Sequence, residues 1–241
     1  MEEKEWFEDW FDSPYYHLLY QNRSEEEAAD FIKRISTILS IPSGAKVLDA
    51  ACGKGRHSRT LAELGFDVTG IDLSKNSIAY AKQFETEHLK FAVNDIRDVY
   101  KENEFDYVFN LFSSFGYSEE EKEDYKAMNA FAGNLKPGGT LVLDYINSEV
   151  AVKGMKPKEI IPRGSIQFHI QKRLENGFIK KKIGFLAEGE DHTFEEQLKV
   201  INLFKFENML KEGRFELKKE YGDYELNDFI PSVSPRLILV A

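Results

Sequence analysis

The sequence predicts an α/β fold, doubly wound around a mostly parallel sheet that is covered on both faces. Two observations carry the expectation. From Lys46 to Tyr145, short apolar runs alternate with helix-length segments, the crossover length that parallel strands require. After about Ile146 the rhythm becomes a strict apolar–polar alternation broken by tight turns, which reads as antiparallel strands.

Residues 2 to 12 carry Trp6, Phe7, Trp10 and Phe11 at helical spacing, and Ser13-Pro14 breaks the helix. Tyr15, Tyr16 and Tyr20 continue the aromatic run. Two readings stand side by side: a helix packed on the domain, or a flap over a ligand site. Residues 24 to 40 form an amphipathic helix, with Ser24 and Glu27 as a capping box and Phe31, Ile32 and Ile35 on its apolar stripe. A strand follows at 46–51, a glycine turn, and a helix from Arg56 to Leu64. Strands at 67–72, 90–95, 105–111 and 140–145 are separated by helices at about 74–85 and 119–135. Beyond 150, Ile166, Phe168 and Ile170 alternate outward and back through the turn Glu175-Asn176-Gly177 to Ile179, Ile183 and Phe185. A strand at 193–198, a helix at 202–211 and strands at 214–221 and 235–240 complete the chain. No linker or repeat divides it. The expectation is one domain over 1–241, with a flap over 1–23 and inserted antiparallel strands at about 150–200.

Charge and cysteine content narrow the function. The chain has 32 basic and 42 acidic residues, a net charge of −10, which repels phosphate backbones and argues against a nucleic-acid partner. The basic trio Lys180 to Lys182 reads as a solvated strand face. Cys52 is the only cysteine, so no disulfide forms within the chain. The acidic start lacks a secretory pattern, and no apolar run approaches the roughly 20 residues of a membrane span. A cytoplasmic location without membrane attachment is expected, and the oligomeric state is left open.

The chemistry concentrates in VLDAACGKGRHS, residues 47 to 58. Gly53 and Gly55 allow a tight turn and close ligand approach, and the helix after them offers unpaired N–H groups. The spacing is wrong for a P-loop, and Ser58 stands where a dinucleotide turn wants a third small residue. A nicotinamide dehydrogenase therefore fits only in part. Asp49, just before the turn, suits a ligand bearing an ammonium or sulfonium better than one bearing phosphates.

These residues resemble motif I of the class I, Rossmann-like, S-adenosylmethionine-dependent methyltransferases, whose D-x-x-x-G-x-G turn matches Asp49, Gly53 and Gly55. The resemblance continues through Asp72 in VTGIDLS, Asn94-Asp95-Ile96, LKPGGTLVLD at 135–144 and the two final strands. It implies a seven-stranded sheet with a reversed C-terminal hairpin, and S-adenosyl-L-methionine as cofactor. It also implies that Asp72 holds the ribose and Asp95 the adenine amino group. Cofactor contacts are expected from Asp49, Ala50, Cys52, Gly53, Gly55, Asp72, Leu73, Asp95, Ile96 and Asn110, with Tyr16 and Arg23 closing from the flap. Acceptor contacts are expected from Tyr15, Tyr20, Phe115, Tyr145, Asn147, His169 and Arg173. No metal is expected and no catalytic base is nominated. The implied reaction is in-line methyl transfer to a small molecule; the alternative is a non-catalytic S-adenosylmethionine-binding sensor or scaffold.

Overall fold

A computed structural model describes residues 10–21 and 25–241. The expectations for Trp6, Phe7, Arg23 and Ser24 fall outside the described residues. Helix α1 (Pro14–Leu19) has Ser13 as its cap and Pro14 in its first turn, so the Ser-Pro pair starts a helix. It is followed by α2 (Glu25–Ile38). The alternating unit then runs β1 (Lys46–Ala50), α3 (Arg56–Glu63), β2 (Asp67–Asp72), α4 (Lys75–Ala81), β3 (Leu89–Val93), β4 (Phe105–Asn110), α5 (Glu121–Asn134) and β5 (Leu135–Ile146).

After β5 come α6 (Ser148–Lys153), β6 (Lys158–Arg163), β7 (Ile166–Glu175), β8 (Phe178–Ala187) and β9 (Glu190–Lys199). The chain closes with α7 (Leu203–Glu212), β10 (Lys219–Tyr221) and β11 (Arg236–Val240). The expected strand from Arg214 shrinks to three residues, because Arg214 and Phe215 bond back to the end of α7. The alternation reading passed over β6 and α6. Each is six residues long, and β6 is a half-exposed edge strand containing Pro162, so its pattern is weak.

The main sheet has the order β10-β11-β5-β4-β1-β2-β3. Strands β1 to β5 pair in parallel, β11 runs antiparallel to β5, and β10 antiparallel to β11. Helices α2, α3 and α4 cover one face through Phe31, Ile32, Ile35, Leu61 and Ile78. The other face lies under α5 and α7, through Met128, Phe131, Phe206 and Leu210. Each such side chain contributes about 1.5–3 kcal/mol by burial. Because β1 has β2 on one side and β4 on the other, the strand order reverses there, and a crevice opens at the carboxyl ends.

The second sheet, β6-β7-β8-β9, is fully antiparallel. Its Phe168, Ile170, Ile183 and Phe185 bury Trp10 and Leu19. The N-terminal segment is thereby seated on this sheet. Lys180 and Lys181 are not a solvated face: Lys180 reaches Glu175 and Glu119, and Lys181 reaches Glu196. Among the described residues no helix is long and apolar enough to cross a membrane.

Where β9 ends, the sheets join. The Lys199 N–H donates to Gly116 O at 3.0 Å, its carbonyl accepts from Tyr145 Oη at 2.7 Å, and its ammonium pairs with the buried Asp124. Removing one partner of such a pair strands a buried charge at a cost of about 3–5 kcal/mol. Asp124→Ala is therefore expected to lose stability of that order in urea unfolding. The double change Asp124→Leu with Lys199→Met is expected to recover most of it.

Candidate functional site

The carboxyl ends of β1, β2 and β4 open into a cavity of about 690 Å³, lined on one side by the N-terminal segment. Its floor is the turn after β1. Ala51 and Gly53 take left-handed dihedrals there, with φ of 67° and 55°. The Gly53 N–H donates to Asp72 Oδ2 at 2.7 Å, and the Ser74 N–H to Asp72 Oδ1 at 2.8 Å. One carboxylate thus ties the turn after β1 to the N-terminus of α4, whose cap is Ser74. Burial raises the pKa of Asp72, against the pull of those two N–H groups.

Asp49 stands behind the turn. It is 1% exposed and accepts a hydrogen bond from Ser58 Oγ. Burial raises its pKa from 3.8 to about 6; the Ser58 bond opposes the rise and the Asp72 charge adds to it. Among the described residues neither carboxylate forms an ion pair. Arg56 lowers the Asp49 pKa only in part against burial, and two buried acids without an ion-pair partner suit a cationic ligand. Cys52 lines the cavity, but burial, together with the Asp49 and Asp72 charges, pushes its thiol well above the ordinary range, so it is not a nucleophile.

Of the cofactor contacts expected from sequence, Tyr16, Cys52, Gly53, Asp72, Leu73, Asp95 and Ile96 line the cavity. Asp49, Ala50, Gly55 and Asn110 lie behind its wall. Gly55 has φ of 80°, and a Cβ there would sit 2.6 Å from the Phe91 ring, so this glycine serves the packing of the turn on β3. Asn110 is fully buried and its amide donates to Ala50 O and Ser114 O, stapling the end of β1 to the loop after β4. Asp95 is engaged by Arg97, which bonds it through its backbone N–H, Nε and Nη2. Burial would raise its pKa, but the Arg97 contacts outweigh burial and hold it below the usual range.

The acceptor candidates divide more sharply. Tyr20 and Phe115 line the cavity. Tyr15 packs away from it, against Phe185 and His192 at 4.8 and 5.1 Å between ring centroids. Tyr145 is buried behind the loop with its hydroxyl spent on Lys199. Asn147 caps α6 and donates to Pro231 O and Ser234 O, both at 2.8 Å. His169 and Arg173 point out from β7, where Arg173 pairs with Glu175 and Glu195. Period-two parity contained that result: Phe168 and Ile170 face the core, so 169, 171 and 173 cannot.

Sequence reasoning did not single out His17 and Lys54 as site residues; they line the cavity wall together with Phe11, Phe112 and Tyr117. His17 sits in the last turn of α1, and burial, with the Lys54 charge, lowers its pKa to about 4 despite Asp12. Its imidazole is neutral at neutral pH. The segment carrying it is held at both ends. Trp10 Nε1 and Tyr20 Oη donate to Glu196, while Asp12 accepts from Ser74 Oγ and from the backbone and side-chain N–H groups of Asn76. In the described part of this segment Trp10 faces the second sheet, and Phe11 and Tyr16 face the cavity. Among the described residues no group of three His, Cys, Asp or Glu side chains is placed to hold a metal ion.

Comparison with known proteins agrees with this geometry. Residues 47–139 match the family model described as a methyltransferase domain. The chain is 29% identical over 221 residues to the putative methyltransferase YqeM of Bacillus subtilis (strain 168), covering 84% of this chain and 85% of that protein. It is 30% identical over 130 residues to the dTDP-3-amino-3,4,6-trideoxy-alpha-D-glucopyranose N,N-dimethyltransferase of Streptomyces venezuelae, spanning 54% of each. The fold matches the crystal structure of an S-adenosylmethionine-dependent methyltransferase from Clostridium acetobutylicum ATCC 824, with a TM-score of 0.79, 19% identity and 94% of both chains covered. The turn, the acid at the end of β2, the strand order and these matches converge: the chain belongs to the class I S-adenosylmethionine-dependent methyltransferases.

Proposed function

We propose that the chain transfers the methyl group of S-adenosylmethionine to a nitrogen of a small-molecule acceptor held in the cavity. The observation that carries this reading is the cavity between the sheet ends and the pinned N-terminal segment. Its volume of about 690 Å³ suits a cofactor and a small acceptor. The cofactor supplies an already activated methyl group, so the protein's task is to hold, align and exclude water. In this reading Asp72 takes the ribose hydroxyls and the Gly53 turn takes the amino-acid end. Leu73 and Ile96 flank the adenine, and the buried charge of Asp49 favours the cationic ligand from behind the turn. Nitrogen is favoured by the amino-sugar enzyme among the relatives.

The test is an acceptor panel containing a dTDP-linked 3-amino sugar, glycine and other small amines, alcohols and thiols, with S-adenosylhomocysteine release as the readout. Turnover of an amine is the expected result. Calorimetric binding of S-adenosylmethionine without turnover of any compound would favour a sensor or scaffold instead. Binding of a nicotinamide dinucleotide in its place would overturn the reading.

Asp49 also couples pH to stability and to binding. Its folded pKa, about 6, lies above the ordinary 3.8, so the folded chain holds a proton that the unfolded chain has already released. Stability is therefore lost as pH rises between about 4 and 6, by roughly 3 kcal/mol for a shift of this size. Asp49→Asn is expected to be more stable than the parent at pH 7.5 by up to about that amount in urea unfolding, and to bind S-adenosylmethionine at least tenfold more weakly. The parent's affinity is expected to fall as pH drops below about 6, with the variant's affinity flat over the same range.

A further inference from the structure

The turn that follows β4 is held in an unusual conformation by buried charge. Phe112 and Ser113 are consecutive non-glycine residues with φ of 60° and 61°, a region that side-chain-bearing residues seldom adopt singly and rarely in succession. Such a geometry persists only where its surroundings over-determine it. Here they do. Asp144, fully buried at the end of β5, accepts from the Phe112 N–H at 2.9 Å through its carboxylate and from the Ser113 N–H at 2.9 Å through its carbonyl. The same carboxylate accepts from Arg236 Nε at 2.8 Å and Nη2 at 2.6 Å, and from Tyr224 Oη at 3.1 Å. Arg236 also donates to Ser113 Oγ at 3.2 Å, and that oxygen accepts from the Ile146 N–H at 2.8 Å. Tyr224 stacks on the Phe112 ring at 5.4 Å.

This is more than a fold needs. A buried ion pair adds little stability over an apolar pair of similar volume, so its use here is better explained by direction than by strength. What it directs is the backbone of the turn that brings Phe112 and Ser114 to the cavity wall, beside the turn after β1. We infer that Asp144 and Arg236, with Tyr224, are positioning residues for methyl transfer. They impose the left-handed Phe112–Ser113 turn so that the wall facing the sulfur and its methyl group is preformed. The inference rests on the methyltransferase reading, and includes the placement of the methyl group against this wall, where Phe112 and Ser114 line the same cavity as Gly53 and Asp72.

The experiment uses the full chain and two known ligands, S-adenosylmethionine and S-adenosylhomocysteine, which differ only in the methyl group and the charge it places on sulfur. Arg236→Lys keeps the positive charge but loses the two-pronged geometry. Tyr224→Phe removes one hydrogen bond and keeps the ion pair, which guards against a variant that fails to fold. Hydrogen exchange at residues 111–117 is expected to quicken at least tenfold in Arg236→Lys and less in Tyr224→Phe, with exchange in β1 unchanged. Calorimetry is expected to show S-adenosylhomocysteine binding within threefold of the parent, and the preference for S-adenosylmethionine reduced at least threefold relative to it. Equal losses for both ligands would overturn the positioning role, as would faster exchange with an unaltered ratio, or unaltered exchange. Failure of the parent to bind either ligand would instead sink the methyltransferase reading and the role that rests on it.

Discussion

Lys199 carries the junction on which the arrangement of this molecule depends. It is the last residue of β9, and its N–H, carbonyl and ammonium each meet a different part of the main sheet's layer: Gly116, Tyr145 and Asp124. Main-chain hydrogen bonds fix direction as well as distance, so the second sheet cannot rotate without disturbing the loop after β4. Gln197, two residues earlier, adds a bond to Tyr117 O at 3.1 Å. The antiparallel insertion is therefore built into the wall of the cavity.

The same loop is gripped from its other end by Asp144 and Arg236, so both halves of the stretch from Phe112 to Tyr117 are set by residues far away in sequence. The N-terminal segment is held beside the cavity in a comparable way. Trp10 and Tyr20 bind it to Glu196 on the second sheet, and Asp12 binds it to the start of α4 beside Asp72. Ligand access thus involves the segment that links the two sheets across the cavity mouth.

The site's electrostatics follow from burial. Asp49 and Asp72 are raised because the fold removes them from water without pairing either with a cation, and the Arg56 charge near Asp49 offsets burial only in part. Asp95, by contrast, has Arg97 beside it and is held low. Three acids that look alike in sequence are thus one hidden behind the turn, one bridging two backbone N–H groups at the cavity, and one committed to an ion pair.

Local information determined the parallel sheet, the turn after β1 and the acids at the ends of successive strands. Apolar periodicity, glycine spacing and the position of Asp49 before the turn are all properties of a few neighbouring residues. Parity along β7 even contained the outward direction of His169 and Arg173. Tertiary structure alone decided which acceptor candidates reach the cavity. Tyr145 lies at the end of β5 and Asn147 just beyond it, yet their polar atoms are taken by Lys199, Pro231 and Ser234, partners 54 to 87 residues away. His17 and Lys54 enter the site for the same reason in reverse. Their surroundings are assembled from segments distant in sequence, and a side chain's reach into a cavity is set by those segments rather than by its own neighbours.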